Sequence, residues 1–228
     1  MNRFLPFAGR RRELDLLEEL LEGVYEYRGG TVFLRGEIGV GKTRLLDHFI
    51  DSVRDRGFHI LRGRSVEEPA KSYSSFSTMV EEFLCQGRKL PQWISRHVTP
   101  ETAVHFINLM PSLRELYPVE VRKSVRPDTA SIGLAFMEFF RRLSSSRPLL
   151  LVLDDIQWMS DDELILLRRL ADRIFDLPVM MLASIRSGIE NSSLERITEE
   201  LAARRLVNVM QLQNLSADEV SDLIERKL

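Results

Sequence analysis

The chain has 228 residues, 44% of them hydrophobic and 29% charged, with a formal net charge of −2. That apolar content is ample for a buried core and excludes a disordered chain, and the length fits one α/β domain. The near-neutral balance gives no electrostatic reason to bind nucleic acid, whose partners usually carry a basic stripe.

In chain order, Leu14, Leu17, Leu21 and Val24 share one face of a helix predicted over residues 13–27, and Arg28-Gly29-Gly30 forms the turn after it. Thr31-Val32-Phe33-Leu34-Arg35 is a β-branched and aromatic strand that runs straight into Gly36-Glu37-Ile38-Gly39-Val40-Gly41-Lys42-Thr43. Those eight residues fill every fixed position of G-x-x-x-x-G-K-[ST], a phosphate-binding loop. Its glycines let the chain wrap round an anion, so that backbone N–H groups and the positive end of the next helix point at phosphate. Lys42 is the point charge between the β- and γ-phosphates, and Thr43 a Mg²⁺ ligand. Leu45, Leu46, Phe49, Ile50 and Val53 mark the helix that follows, closed by Arg56-Gly57, and a second strand is predicted over residues 58–62.

From residue 65 to residue 127 the pattern changes, because Pro69, Pro91, Pro100, Pro111, Pro118 and Pro127 divide the stretch into short helical pieces, with Thr99-Pro100-Glu101 a helix start. This stretch reads as a helical insert. The lone Cys85 lies in it, is expected to be a small core residue, and rules out an internal disulfide. A helix over residues 128–143 brings Ile132, Phe136, Phe139 and Phe140 to one side, a stripe that is either core packing or a partner groove.

Leu149-Leu150-Leu151-Val152-Leu153 is wholly apolar, as in a strand covered on both faces of a parallel sheet, and it ends in Asp154-Asp155. Acids at the carboxyl end of such a strand stand where open α/β sheets bind ligands. Asp154 is the expected partner of Mg²⁺, and Asp155 is placed to orient or deprotonate a water. Trp158 either wedges the next helix onto the sheet or stacks on a partner. Met159 to Glu163 form a polar helix start whose acids complement the helix dipole, before Leu164, Leu167 and Leu170. Residues 179–185 form a further buried strand ending in Arg186, a guanidinium able to tell ATP from ADP by touching the γ-phosphate. A fifth strand over residues 206–212 and a capping box at Ser216-Ala217-Asp218-Glu219 complete the alternation. Strand and helix alternate throughout, which predicts an α/β fold with a mostly parallel five-stranded sheet.

These residues resemble the AAA-type P-loop ATPase domains of STAND signalling proteins and of large LuxR-type or maltose-regulator-type transcription factors. Phe7-Ala8-Gly9-Arg10-Arg11-Arg12-Glu13-Leu14 is similar to that family's F-x-G-R-x-x-E-L, Asp154-Asp155-Ile156-Gln157-Trp158 to its D-D-h-[QH]-W, Ser184-Ile185-Arg186 to its sensor, and Leu212 to Ser216 to its L-x-x-L-S. Arg62-Gly63-Arg64, with Tyr73 and Phe76, resembles the family's second strand and following helix. Origin-recognition-type ATPases share several of these features. The resemblance implies a three-layer P-loop fold of the ASCE/AAA type, with the strand over residues 179–185 between the loop strand and the acidic strand. It implies nucleotide contacts from Phe7, Gly9 and Arg10 along adenine and ribose and from the run Gly36, Glu37, Ile38, Gly39, Val40, Gly41, Lys42, Thr43 and Arg44. It implies catalytic roles for Lys42, Asp155 and Arg186, and Mg²⁺ held by Thr43 and Asp154.

Taken as one ATPase domain over residues 1–228, the chain divides into an adenine-side segment and helix (1–30), the loop and second strand (31–64), the insert (65–127) and the acid and sensor half (128–228), with a C-terminal lid or winged helix expected to be absent. Many AAA machines carry Asp-Glu where this chain has Asp154-Asp155, and the shorter acid predicts a slow switch rather than a fast motor. ATP and ADP are the expected ligands, with effector domains or protein partners and nucleotide-dependent self-association. Direct nucleic-acid binding is not expected, since Arg10-Arg11-Arg12, Arg141-Arg142 and Arg204-Arg205 are short and scattered. His48, His59, His97 and His105 lack metal-ligand spacing, so Mg²⁺ is the one metal expected. No N-terminal signal pattern appears and no apolar run approaches the ~18 residues of a membrane span, which predicts a cytoplasmic protein. The alternatives to a hydrolytic switch are an origin-recognition-type ATP-dependent DNA-binding protein and a scaffold that holds nucleotide without hydrolysing it.

Overall fold

The computed structural model describes residue 7 and residues 9–67, 72–85, 94, 96–110, 113, 117, 129–217 and 219–221. In order these form α1 (Arg11–Tyr25), β1 (Gly30–Gly36), α2 (Lys42–Val53), β2 (His59–Arg64), α3 (Ser74–Cys85), α4 (Pro100–Phe106), α5 (Thr129–Ser144), β3 (Leu149–Asp154), α6 (Asp161–Ile174), β4 (Val179–Arg186), α7 (Ser192–Ala203) and β5 (Asn208–Gln211). The strands make one five-stranded sheet in the order β2-β3-β4-β1-β5, and every pair is parallel. The strand bearing Arg186 thus lies between the loop strand and the acidic strand.

Burial follows position in the sheet. All six residues of β3 and the first seven of β4 are buried, as expected for strands covered on both faces, whereas the edge strands β2 and β5 expose residues to solvent. Side chains alternate between two packed layers. Val32, Leu34, Leu150, Val152, Met180 and Leu182 meet α1 and α2 through Leu17, Leu21, Leu45, Leu46 and Phe49. Phe33, Leu151, Leu153, Met181 and Ala183 meet the helices of the opposite face. There the aromatic stripe is core: Phe136, Phe139 and Phe140 are buried, with the Phe106 ring 4.7 Å and the Phe140 ring 6.1 Å from Phe136. Each such ring removed from water contributes about 1.5–3 kcal/mol.

Several boundaries differ from the sequence expectation. Helix α1 starts two residues earlier and ends two earlier, at Tyr25, because Arg28 turns its N–H back onto the carbonyl of Gly23. Strand β2 runs on to Arg64 because its ladder with β3 continues to Asp154, and β5 is shorter because only Asn208–Gln211 pair with β1. Cys85 is exposed at the last position of α3, not a core residue. The expected start at Thr99 is present, its hydroxyl capping the N–H of Thr102 and Pro100 occupying the first turn. Pro69, Pro91, Pro111, Pro118, Pro127 and Asp218 lie outside the described residues.

Two helices share one carboxylate. Ser160 caps α6 reciprocally with Glu163, whose side chain is fully buried and also accepts the backbone N–H of Ser75, at the start of α3, at 2.8 Å. The N-terminal N–H groups of both helices thus satisfy a carboxyl group held out of water. Ser65, just past β2, bonds Ser75 at 2.9 Å and donates its backbone N–H to the Asp154 carbonyl at 3.0 Å.

Candidate active site

Strand β1 delivers Gly36 at the carboxyl edge of the sheet. A side chain there would meet the Leu212 carbonyl and Val40 at 2.9 Å. Gly39 and Gly41 adopt φ of +80° and +99°, left-handed conformations that only glycine takes at little cost, while a Cβ at either would touch nothing within 4 Å. Conformation, not crowding, selects glycine at these two positions, and the space beside them is open. Gly41 is the N-cap of α2 and no side chain caps that helix, so its first-turn N–H groups remain available to an anion. The Lys42 ammonium is folded over the loop, donating to the carbonyls of Gly36 and Glu37 at 2.8 Å each. Burial pushes its pKa down, Asp155 and Asp154 draw it back up, and Arg186 adds to the lowering. Glu37 and Ile38 are exposed at the loop's tip, and Val40 is buried beneath it.

The acids stand opposite. Asp154 is almost wholly buried; its Oδ2 accepts the Thr43 hydroxyl at 3.0 Å and lies 3.6 Å from the Arg62 guanidinium, and its Oδ1 accepts the Ser184 hydroxyl. Asp155 sits in a left-handed conformation, φ +60°, which turns it out of the strand. Its N–H donates to Ser184 Oγ at 2.9 Å, so one hydroxyl on β4 fixes both acids. Its carboxylate accepts from Gln157 Nε2 at 3.2 Å and from Arg64 Nη2 at 3.2 Å. Arg186 lies beside Gly36 in the ladder, and its buried Nε has no hydrogen-bond partner among the described residues. A buried guanidinium nitrogen without a partner is costly unless something else satisfies it.

A cleft of about 360 Å³ adjoins the loop, lined in part by Phe7, Gly39, Arg44, Asn214 and Leu215, a size suited to a small ligand. Phe7 stacks on His48 of α2, with ring centroids 3.9 Å apart. Arg10 is buried in the cleft wall, its guanidinium donating to the carbonyls of Val40 and Gln213 and pairing with Glu13 at 3.1 Å. Gly9 and Arg10 both take positive φ, and the Arg10 N–H donates to Glu219 at 3.2 Å. Glu219 completes the capping box with Ser216, and these bonds, from Ser216 first and Arg10 second, lower its pKa. The loop, Asp154, Asp155 and Arg186 thus stand together at the carboxyl edge of the sheet, with Phe7, Gly9 and Arg10 beside the loop and Arg10 bonded to protein groups.

A model of the AAA ATPase domain matches residues 6–182. The chain belongs to the AAA ATPase domain family. No curated protein sequence matches it. Among solved structures it is similar to Cdc6p from Pyrobaculum aerophilum, at 15% identity and a TM-score of 0.55 over 100% of this chain and 52% of that one. It is also similar to the Orc1 protein of Aeropyrum pernix in complex with DNA, at 18% identity and a TM-score of 0.50 over 100% of this chain and 51% of that one. A STAND protein with a tetratricopeptide repeat sensor from Pyrococcus horikoshii follows at 17% identity and a TM-score of 0.47, covering 99% of this chain and 26% of that one. The first two likenesses are of fold, and this chain spans about half the length of those two proteins.

Ser184, Gln157 and Arg64 of this AAA domain fall within motifs singled out in the sequence, but none of them, nor His48, was expected to have a role of its own. Ser184 carried a signal: a hydroxyl within an apolar strand covered on both faces needs a partner, and here the two acids supply it. Trp158, whose role was open, is half-buried in the 3₁₀ turn Ile156–Trp158.

Proposed function

We propose that this AAA domain is a Mg²⁺-dependent switch that binds ATP and hydrolyses it slowly, serving a signalling or transcription-regulatory protein in the cytoplasm. One observation carries the reading: the Thr43–Asp154 bond at 3.0 Å closes the phosphate loop onto the acidic strand, while Arg186, whose buried Nε has no hydrogen-bond partner among the described residues, lies beside Gly36 in the ladder. Lys42, the loop glycines and the uncapped start of α2 hold the phosphates. Thr43 and Asp154 fit a hard divalent cation, since they bring a hydroxyl and a carboxylate oxygen together, and such an ion neutralises charge developing on the phosphate oxygens. Asp155 orients a water and takes its proton, and Arg186 binds the γ-phosphate. ATP and ADP can select different conformations only if they bind them with different affinity, and a γ-phosphate contact supplies that difference.

The Phe7 cleft takes the adenine and ribose in this reading, and Arg10 shapes it from behind. The change of state is passed to effector domains or a second copy of the domain. The deciding experiment is equilibrium binding of ATP, ADP and GTP with Mg²⁺ to the wild type and to Lys42→Ala. Adenine-selective binding that weakens roughly 100-fold in the variant is expected, the loss of charge-assisted bonds worth about 1.5–3 kcal/mol. Binding unaffected by the substitution would rule out this site.

A further inference from the structure

Gln157 stands where the acids and the sensor arginine meet. It is buried, and the Arg186 N–H donates to its Oε1 at 3.0 Å. That bond fixes the amide: a backbone N–H offers only a proton, so the amide oxygen must face it and the amide nitrogen must face away. The nitrogen then donates to Asp155 Oδ1 at 3.2 Å. The Gln157 carbonyl accepts from Asn191 Nδ2 at 3.0 Å, and the Asn191 side chain in turn caps α7. One residue thus joins the carboxylate beside the metal ligand, the end of the sensor strand and the start of α7.

We propose that Gln157 is a positioning residue that holds Asp155 and Arg186 in one shared geometry, so that contact with the terminal phosphate and orientation of the attacking water occur together. The proposal rests on the hydrolytic reading above. In that step the water oxygen bonds to the γ-phosphorus, the bond to the bridging oxygen breaks, ADP leaves with that electron pair, and the water's proton passes to Asp155. Gln157 touches none of the reacting atoms. Its amide donor fixes which way one carboxylate faces, and its amide acceptor fixes the backbone from which the guanidinium reaches. A residue that merely filled space would tolerate an apolar replacement of similar volume.

Two substitutions separate the halves. Gln157→Glu keeps an acceptor for the Arg186 N–H and loses the donor to Asp155; Gln157→Leu loses both. Wild type and variants are compared in kcat and KM for ATP, in Kd for ATP and ADP, and in hydrogen exchange of the Arg186 amide. Both variants should lose roughly 10-fold in kcat, the effect of one hydrogen bond, with the Kd for ADP held within about twofold. Gln157→Leu alone should also exchange the Arg186 amide faster and lose preference for ATP over ADP. A Gln157→Leu variant that turns over at the wild-type rate overturns the inference. So does an equal loss of ADP binding and thermal stability in both variants, which would make the residue only structural. A wild type that binds ATP without hydrolysing it would instead remove the hydrolytic reading itself, and this inference with it.

Discussion

The two arms of the site are built differently. Within the phosphate arm, from β1 through the loop into α2, Lys42 is held by bonds between near neighbours, reaching carbonyls five and six residues away, while Arg10 braces the Val40 carbonyl from 30 residues off. The acid arm is held by bonds across the sheet, between residues 91 apart for Arg64 and Asp155, 30 for Ser184 and Asp154, and 29 for Gln157 and Arg186. The bond between the Thr43 and Asp154 side chains, over 111 residues, ties one arm to the other. A local arm tolerates change elsewhere in the fold, whereas the assembled arm depends on the order of its strands.

The contrast predicts where substitutions act. Asp155→Asn should have the largest effect, lowering kcat by about 10²–10⁴-fold as expected for loss of a general base, with ATP affinity nearly unchanged; parallel steady-state and binding assays check this. Lys42→Ala, in the local arm, should do the reverse and act on affinity, so equal effects of both substitutions on binding and turnover would erase the distinction. Arg186→Ala should weaken ATP roughly 10-fold while leaving ADP alone, measured by competition between the two nucleotides. Arg64→Ala should change kcat by no more than about fivefold, because its side chain is 69% exposed and an exposed ion pair contributes ~1 kcal/mol or less. A larger loss would mean that Arg64 does more than pair with Asp155 at the surface and helps to aim it.

The same contrast explains what could be read in advance. The loop was legible because its chemistry is consecutive: glycines, lysine and threonine fall in one run flanked by a strand and a helix, and the fold places them as written. Asp154, Asp155 and Arg186 were legible as strand ends, since an apolar run stopping at a charge marks the edge of a sheet. The bonds that aim them were not. Ser184 meets the acids, and Gln157 meets the Arg186 N–H, only because β4 lies between β3 and β1; the resemblance implied that order, but not which side chains bond across it. The commitment of Arg10 to Val40 and Gln213 likewise depends on the chain after β5 returning to the loop.

The shared carboxylate of Glu163 bears on how the chain folds. It starts α6, three residues from its own cap, and at the same time completes α3, 88 residues earlier in the chain. The first is a local event on the time scale of helix formation, and the second must wait for a long loop to close. Helix α3 can therefore reach its native start only after the acidic strand has docked beside β2. Most of the chain must exist before its third helix is finished, and a nascent chain halted short of Glu163 would leave the start of that helix unsatisfied.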